Sequence, residues 1–258
     1  MALYALVSAG GSPGVTTAAL ALALTWPAQV IVAECDPSGG DVLAGLFAGH
    51  LEARSGLLAL AMEAGASPEA MAAGLWPQLV DVDGDGSRLL LPGITDPRQA
   101  GGLGPSWSAL ATALTAVPAD VIADCGRLEP YAASAPVLAA ARLAVLVLRP
   151  TLRQASKARQ RIEMLAEIRG GSQRLALLLV GEGTHSGREV QRALGIPVVG
   201  SLPEDLKTAS TLSDGTGSRR GIAARPLLRS ARPVGRALRE FEPGSSQVGA
   251  GTMQGWTG

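Results

Sequence analysis

Aromatic residues make up only 3% of the sequence, so aliphatic side chains must fill its core, and stacking platforms for single-stranded nucleic acid are not expected. Charge is sparse as well: 17% charged against 47% hydrophobic residues excludes a disordered chain and suits a buried parallel sheet. The two cysteines, Cys35 and Cys125, fall in different segments without metal-ligand spacing. No apolar run reaches the roughly 18 residues of a membrane span, because charges or prolines interrupt each candidate. The opening residues, MALYALVSAG, lack a basic leader and a cleavage-like site, and they predict a strand rather than a signal peptide. A reduced, cytoplasmic protein is the expectation. Lysine is scarce too, with only Lys157 and Lys207 in the chain.

What is present is an alternation. A chain of 258 residues is long enough for one α/β domain with a substantial core. Apolar, strand-like runs at Leu3–Ser8, Val30–Glu34, Leu89–Leu91, Val121–Asp124, Leu143–Leu148, Leu175–Val180 and Pro197–Val199 alternate with helical patterns. The clearest helices are expected at Thr16–Thr25, Ser106–Ala116, Leu152–Ile168 and Pro226–Phe241, while residues 51–80 look helical without clear limits. This order predicts a three-layer, doubly wound α/β fold around a mostly parallel sheet. Residues 1–242 form one domain on this reading, and residues 243–258 a disordered tail. The stretch Asp81–Gly86 (DVDGDG) resembles a calcium loop but lacks the glutamate downstream, so a turn is expected.

The net charge of zero hides an asymmetry. Residues 1–148 carry five Lys/Arg against thirteen Asp/Glu, residues 149–240 seventeen against eight, and Glu242 adds the last negative charge. The acidic part holds the candidate metal site, and the basic part suits an anionic partner.

The segment VSAGGSPGVTTAALALAL leads from a strand through a glycine-rich turn into a helix. Successive backbone N–H groups and a helix N-terminus then face one point, as an anion requires, although the same residues also suit a turn that binds nothing. The segment resembles the deviant phosphate loop of the MinD/ParA ATPases, G-K-G-G-x-G-K-T-T. Ala9 takes the first glycine and Gly10 the family's signature lysine. Gly11, Ser12, Pro13 and Gly14 form the turn, Val15 replaces the ordinary loop lysine, and Thr16 and Thr17 match. Both lysines are therefore missing: the one that reaches the β- and γ-phosphates and the one the family contributes across a dimer interface. Neither is replaced by a lysine nearby in sequence, and Arg127, Arg149 and Arg153 are candidate substitutes near strand ends.

Three further segments carry the same resemblance, which spans roughly residues 1–240. AECDPSGGD resembles the family's D-x-D-P-Q-G-N switch segment, with Glu34 for the first Asp, Asp36 for the acid that orients the attacking water, and Asp41 for the Asn. ADVIADCG resembles its Walker B element, so that Asp124 would hold Mg²⁺ through water while the Thr16 hydroxyl ligates it directly. Asp36 is counted with this metal group. Each acid taken singly is also compatible with an ordinary capping role. GIPVVGSLPEDLKTASTLSDG resembles the segment flanking the adenine, which makes Pro203, Glu204 and Asp205 base-pocket neighbours. Gly181 stands where the family often has asparagine.

In the basic part, Arg153, Lys157 and Arg161 recur at four-residue spacing on one helix. The last helix carries Arg225, Arg229, Arg232, Arg236 and Arg239 on one side, with Leu227, Ala231, Val234, Leu238 and Phe241 opposite. A solvated arginine face on a packed helix and a surface for anions both satisfy this pattern. Pro233 is expected to interrupt the helix, and the apolar face is thin for insertion into lipid, so DNA or an acidic protein partner is better supported than a membrane surface.

The resemblance thus implies a SIMIBI-like P-loop NTPase that binds ATP and Mg²⁺, forms a homodimer and organises a cargo in space, with weak hydrolysis at most. The alternative, ranked second, is a non-hydrolysing CpaE/TadZ-like pseudo-ATPase scaffold that localises a pilus or secretion assembly. Cys35 and Cys125 each adjoin a motif carboxylate, so either a thiol pair or two small buried residues is expected there.

Overall fold

The protein is described by a computed structural model that covers residues 1–10, 14–46, 56–216 and 221–242. Gly11, Ser12 and Pro13 of the loop and the tail 243–258 lie outside the described residues. Strands and helices alternate in the order β1 (Leu3–Ser8), α1 (Val15–Leu24), β2 (Val30–Glu34), α2 (Val42–Leu46), α3 (Leu57–Ala64), α4 (Pro68–Gly74), β3 (Val80–Asp81), β4 (Arg88–Leu91) and α5 (Pro97–Leu103). The chain continues through α6 (Ser106–Ala116), β5 (Asp120–Arg127), α7 (Ala135–Ala140), β6 (Leu143–Leu148), α8 (Leu152–Arg169), β7 (Leu175–Val180), α9 (Gly187–Leu194), β8 (Val198–Leu202), α10 (Leu206–Ser213) and α11 (Pro226–Glu240).

The eight strands form one sheet in the order β3-β4-β2-β5-β1-β6-β7-β8, parallel except for β3. The runs LYALVS, VIVAE and LAVLVL are buried residue after residue, because helices cover both faces. In β1, Leu3, Ala5 and Val7 join the core under α3 to α9, while Tyr4 and Leu6 join the core under α1, α2, α10 and α11. This is the expected three-layer, doubly wound architecture. The chain leaves β1 toward β2 and later returns past it from β5 to β6, so the strand order reverses beside β1. A ligand crevice is expected at the carboxyl ends of strands at such a point.

Local departures have local causes. The strand expected at Pro197–Val199 runs instead over Val198–Leu202, because pairing with β7 carries Gly200 and Ser201 into the sheet despite their weak strand preference. Around residues 56–78 the helical signal resolves into α3, α4 and a 3₁₀ turn, separated at residues 65–67 and at Leu75. Ser67 caps α4 by accepting the Ala70 N–H. The DVDGDG stretch is a turn, in which the Asp81 carboxylate accepts the N–H groups of Gly84 and Gly86, each at 2.9 Å. Pro233 does not interrupt α11. The helix runs unbroken past it, because the ring lies on the exposed face, where it costs one backbone bond while Ala231, Val234 and Leu238 stay buried.

Candidate functional site

The loop residue Gly14 has a left-handed backbone (φ 88°) and opens α1, where its carbonyl accepts the Ala18 N–H at 2.9 Å. Thr16 follows in the first turn. Its hydroxyl hydrogen-bonds the carboxylate of Asp124, which stands near the carboxyl end of the neighbouring strand β5. Asp124 is 3% exposed, and its other partner is the N–H of Gly126 at 2.9 Å. Burial pushes its carboxyl up to about 6, the two hydrogen bonds act against this, and the nearby charges of Asp36 and Asp41 raise it further.

A bulge builds this corner. Between Leu6 and Ser8 two steps of β1 face three of β5, which places an extra residue after Asp124. Gly126 takes up the distortion with φ 62°. A Cβ there would overlap the Asp36 carboxylate, so glycine is required both by the backbone and by the approach of Asp36. Asp36 itself follows β2 and accepts the Ser38 N–H at 2.8 Å, which folds the turn in front of Asp41. Thr16, Asp36 and Asp124 come from three segments and meet at one end of the sheet.

Glu34 behaves differently from its neighbours. Its carboxylate is 4% exposed and accepts the N–H groups of Val42 at 3.0 Å and Gly93 at 3.1 Å, tying α2 and the β4–α5 connection to β2. Burial raises its carboxyl to about 7 in spite of those two bonds. Glu34 is therefore a brace for the segment that carries Asp36. Cys35, just after β2, and Cys125, on the adjacent strand β5, are fully buried and follow the paired residues Glu34 and Asp124. The thiol of Cys35 lies close enough to raise that of Cys125, and burial raises both.

On the other side of α1, Gly14 and Thr17 share a cavity of about 110 Å³ with Pro203, Glu204 and Asp205. Asp205 lines the cavity, but its carboxylate caps α10 through the Thr208 N–H at 3.0 Å and the Thr208 hydroxyl at 2.6 Å. Glu204 is held by Arg149 at 2.7 and 3.2 Å, and this guanidinium keeps the Glu204 carboxyl below the usual range. Arg149 also fills the space above Gly181, where a Cβ would meet the guanidinium at 3.0 Å.

The candidate cations are placed unequally. Arg149 is committed to Glu204, and Arg127 lies 3.5 Å from Glu129. No lysine near the loop in sequence replaces either loss, but Lys157 of α8 lies beside Gly10 in space. Residue order gave no signal of this, since the contact spans the connections between β1 and α8. Val15, in place of the ordinary loop lysine, is 6% exposed and packs in the core beneath α1.

The arginines of α11 lie away from these carboxylates. Arg229, Arg232 and Arg236 are exposed, Arg225 precedes the helix, and Arg239 pairs with Asp120 at 3.2 Å. Arg239 is thus engaged within the protein, while its neighbours project from the face opposite Leu227, Ala231, Val234 and Leu238. No helix of the described residues is long and apolar enough to cross a membrane.

The donors fit a hard cation. Thr16, Asp124 and Asp36 offer oxygen only, and a divalent ion beside Asp124 would offset the burial and the neighbouring negative charges that raise its carboxyl. Among the described residues no three His, Cys, Asp or Glu side chains form a metal cage. Mg²⁺ does not require one, since it takes one or two carboxylates together with phosphates and water.

No family model and no curated protein matches the sequence. Solved structures match over nearly the whole chain. The septum site-determining protein MinD of Pyrococcus horikoshii OT3, complexed with Mg-ADP, superposes with a TM-score of 0.70 at 15% identity, covering 93% of this chain and 96% of that one. The ParA family ATPase of Chlorobium tepidum TLS gives 0.69 at 15% identity, with 91% and 98% covered. A variant of McdA from Cyanothece in complex with ATP gives 0.64 at 15% identity, with 94% and 98% covered. With the sheet order, the loop between β1 and α1 and the acids at the ends of β2 and β5 already in place, this likeness settles the architecture: the chain has the fold of the MinD and ParA ATPases.

Proposed function

We propose that the chain is a MinD/ParA-like nucleotide-binding protein that takes up Mg-ATP at the carboxyl ends of β1, β2 and β5 and works as a nucleotide-dependent dimeric spatial organiser. The observation that carries this reading is the meeting of Thr16, Asp36 and Asp124 beside the N-terminus of α1. The backbone N–H groups of the loop, to which Pro13 contributes none, would hold phosphate, with Thr17 beside them. Thr16 and Asp124 would hold Mg²⁺, with Asp36 close by, and Pro203, Glu204 and Asp205 would flank the base. Mg²⁺ would neutralise phosphate charge. Asp36 would orient the attacking water.

Val15 favours a second reading. Its burial in the core leaves no cation at the position that normally reaches the β- and γ-phosphates, which suits a non-hydrolysing scaffold whose dimer recruits a partner. The exposed arginines of α11 offer DNA phosphates or an acidic protein a docking face in either case.

Mg-ATP titration and phosphate release on the purified chain separate the two. Binding with turnover that disappears in Asp36→Ala supports the organiser with residual hydrolysis. Binding without turnover supports the scaffold, and no binding overturns both.

A further inference from the structure

The loop after β1 lacks lysine, yet a lysine reaches it from elsewhere. Helix α8 docks on the sheet through Gln154, Ala158 and Leu165, which are 7%, 0% and 1% exposed. The amide head of Gln154 lies at the loop, where its Nε2 donates to the Gly10 carbonyl at 3.4 Å. Its Oε1 is buried without a partner among the described residues, leaving an acceptor beside the loop. One residue before Ala158, Lys157 extends over Gly10. Its Cδ and Nζ stand 3.7 and 3.9 Å from the point a Cβ of residue 10 would occupy.

We propose that Lys157, carried in on α8, supplies the loop with the cation its own sequence lacks and pairs with a phosphate of the bound nucleotide. The inference rests on the nucleotide reading above and deepens it. Residue 10 is the position aligned with the signature lysine. Here its backbone, at φ 149°, disfavours any side chain, and Lys157 lies over it at ordinary van der Waals distance. The missing lysine at 10 and the lysine present at 157 are two sides of one arrangement. Among the described residues no carboxylate lies within 4 Å of the Lys157 ammonium, whereas Arg127, Arg149 and Arg161 each have one. The flexible four-carbon stem lets the ammonium follow a phosphate across several ångströms. Arg153, one turn earlier on α8, has no comparable contact with Gly10, which makes it a matched control.

The test compares Mg-ATP affinity and its salt dependence in the full-length wild type, Lys157→Ala, Lys157→Arg and Arg153→Ala, with thermal unfolding of each as a check on folding. Lys157→Ala is expected to weaken Mg-ATP about tenfold and to flatten the salt dependence, as loss of one charge-assisted contact does. Lys157→Arg should restore most of the affinity, and Arg153→Ala should stay within about twofold of wild type. Wild-type binding that Lys157→Ala leaves within twofold overturns this inference alone. A wild type that binds neither Mg-ATP nor Mg-tripolyphosphate overturns the nucleotide reading and this inference with it.

Discussion

Strand β5 carries two buried aspartates four residues apart, Asp120 near its start and Asp124 near its end, 5% and 3% exposed. The protein neutralises the first by itself. Asp120 accepts the Ala2 N–H and the Trp26 indole N–H, each at 2.9 Å, and Arg239 of α11 stands 3.2 Å away. The second receives one hydroxyl and one backbone N–H, and it faces Asp36 and Asp41 with no cation against it among the described residues. Residue type, strand and burial are the same, so the difference lies in what the fold brings to each. Asp120 locks the N-terminus, the segment after α1 and α11 together at the amino end of β5. Asp124 is left short of positive charge toward the carboxyl end, where the crevice lies. An under-compensated buried carboxylate is expensive for stability and marks a place where a ligand completes the electrostatics.

The contrast is broken most severely at Asp120. Asp120→Ala strands the Trp26 and Ala2 donors and the Arg239 charge, and is expected to cost about 3–5 kcal/mol of stability in urea unfolding, with a change in Trp26 fluorescence. A loss below about 1 kcal/mol would contradict the picture of a structural lock.

Asp124→Asn should do the opposite in the absence of nucleotide. Folded carboxyls raised to about 6 at Asp124 and about 7 at Glu34 mean that the native state binds more protons than the unfolded chain between about pH 4 and those values. Their contribution is therefore present at low pH and is lost as pH rises through 6 to 7. Thermal melts of the nucleotide-free wild type should show stability from these groups falling from pH 5 to pH 8. Asp124→Asn should flatten that slope, raise stability at pH 8 by on the order of 2 kcal/mol, and abolish any gain from Mg²⁺. A wild type that gains stability with pH over this window would contradict the assignment.

The smallest expected effect lies on α11. Arg229→Glu/Arg236→Glu changes exposed side chains and should leave stability within about 0.5 kcal/mol. If this face binds DNA, the double variant should lose retention on nonspecific duplex at low salt. Retention that survives the change would remove α11 as the contact.

Much of the scaffold is legible in the residue order. Helix Ser106–Ala116 and strands Leu3–Ser8, Val30–Glu34, Leu143–Leu148 and Leu175–Val180 follow from apolar runs and periodicity alone. The opposed faces of α11 are legible for the same reason, because three- and four-residue spacing turns directly into a helix face. Pro233 misleads because one exposed proline weighs little against a buried apolar stripe. Asp36 and Asp124 stand out because each comes just after an apolar run in the sequence. Glu34 carries no mark of its role as a brace, since Gly93 lies far along the chain.

By itself, then, the sequence determined the alternation of strands and helices, the acids at the strand ends, the arginine face of α11 and the lack of lysine in the loop. All of these depend on residues within a turn or two of one another. Only the tertiary structure decided that Asp120 is neutralised while Asp124 is not, that Arg149 is committed to Glu204, and that Lys157 covers Gly10. Those relations depend on strand order and on how α1, α8 and α11 pack against the sheet, which bring charges together across long stretches of chain where no local pattern can record them.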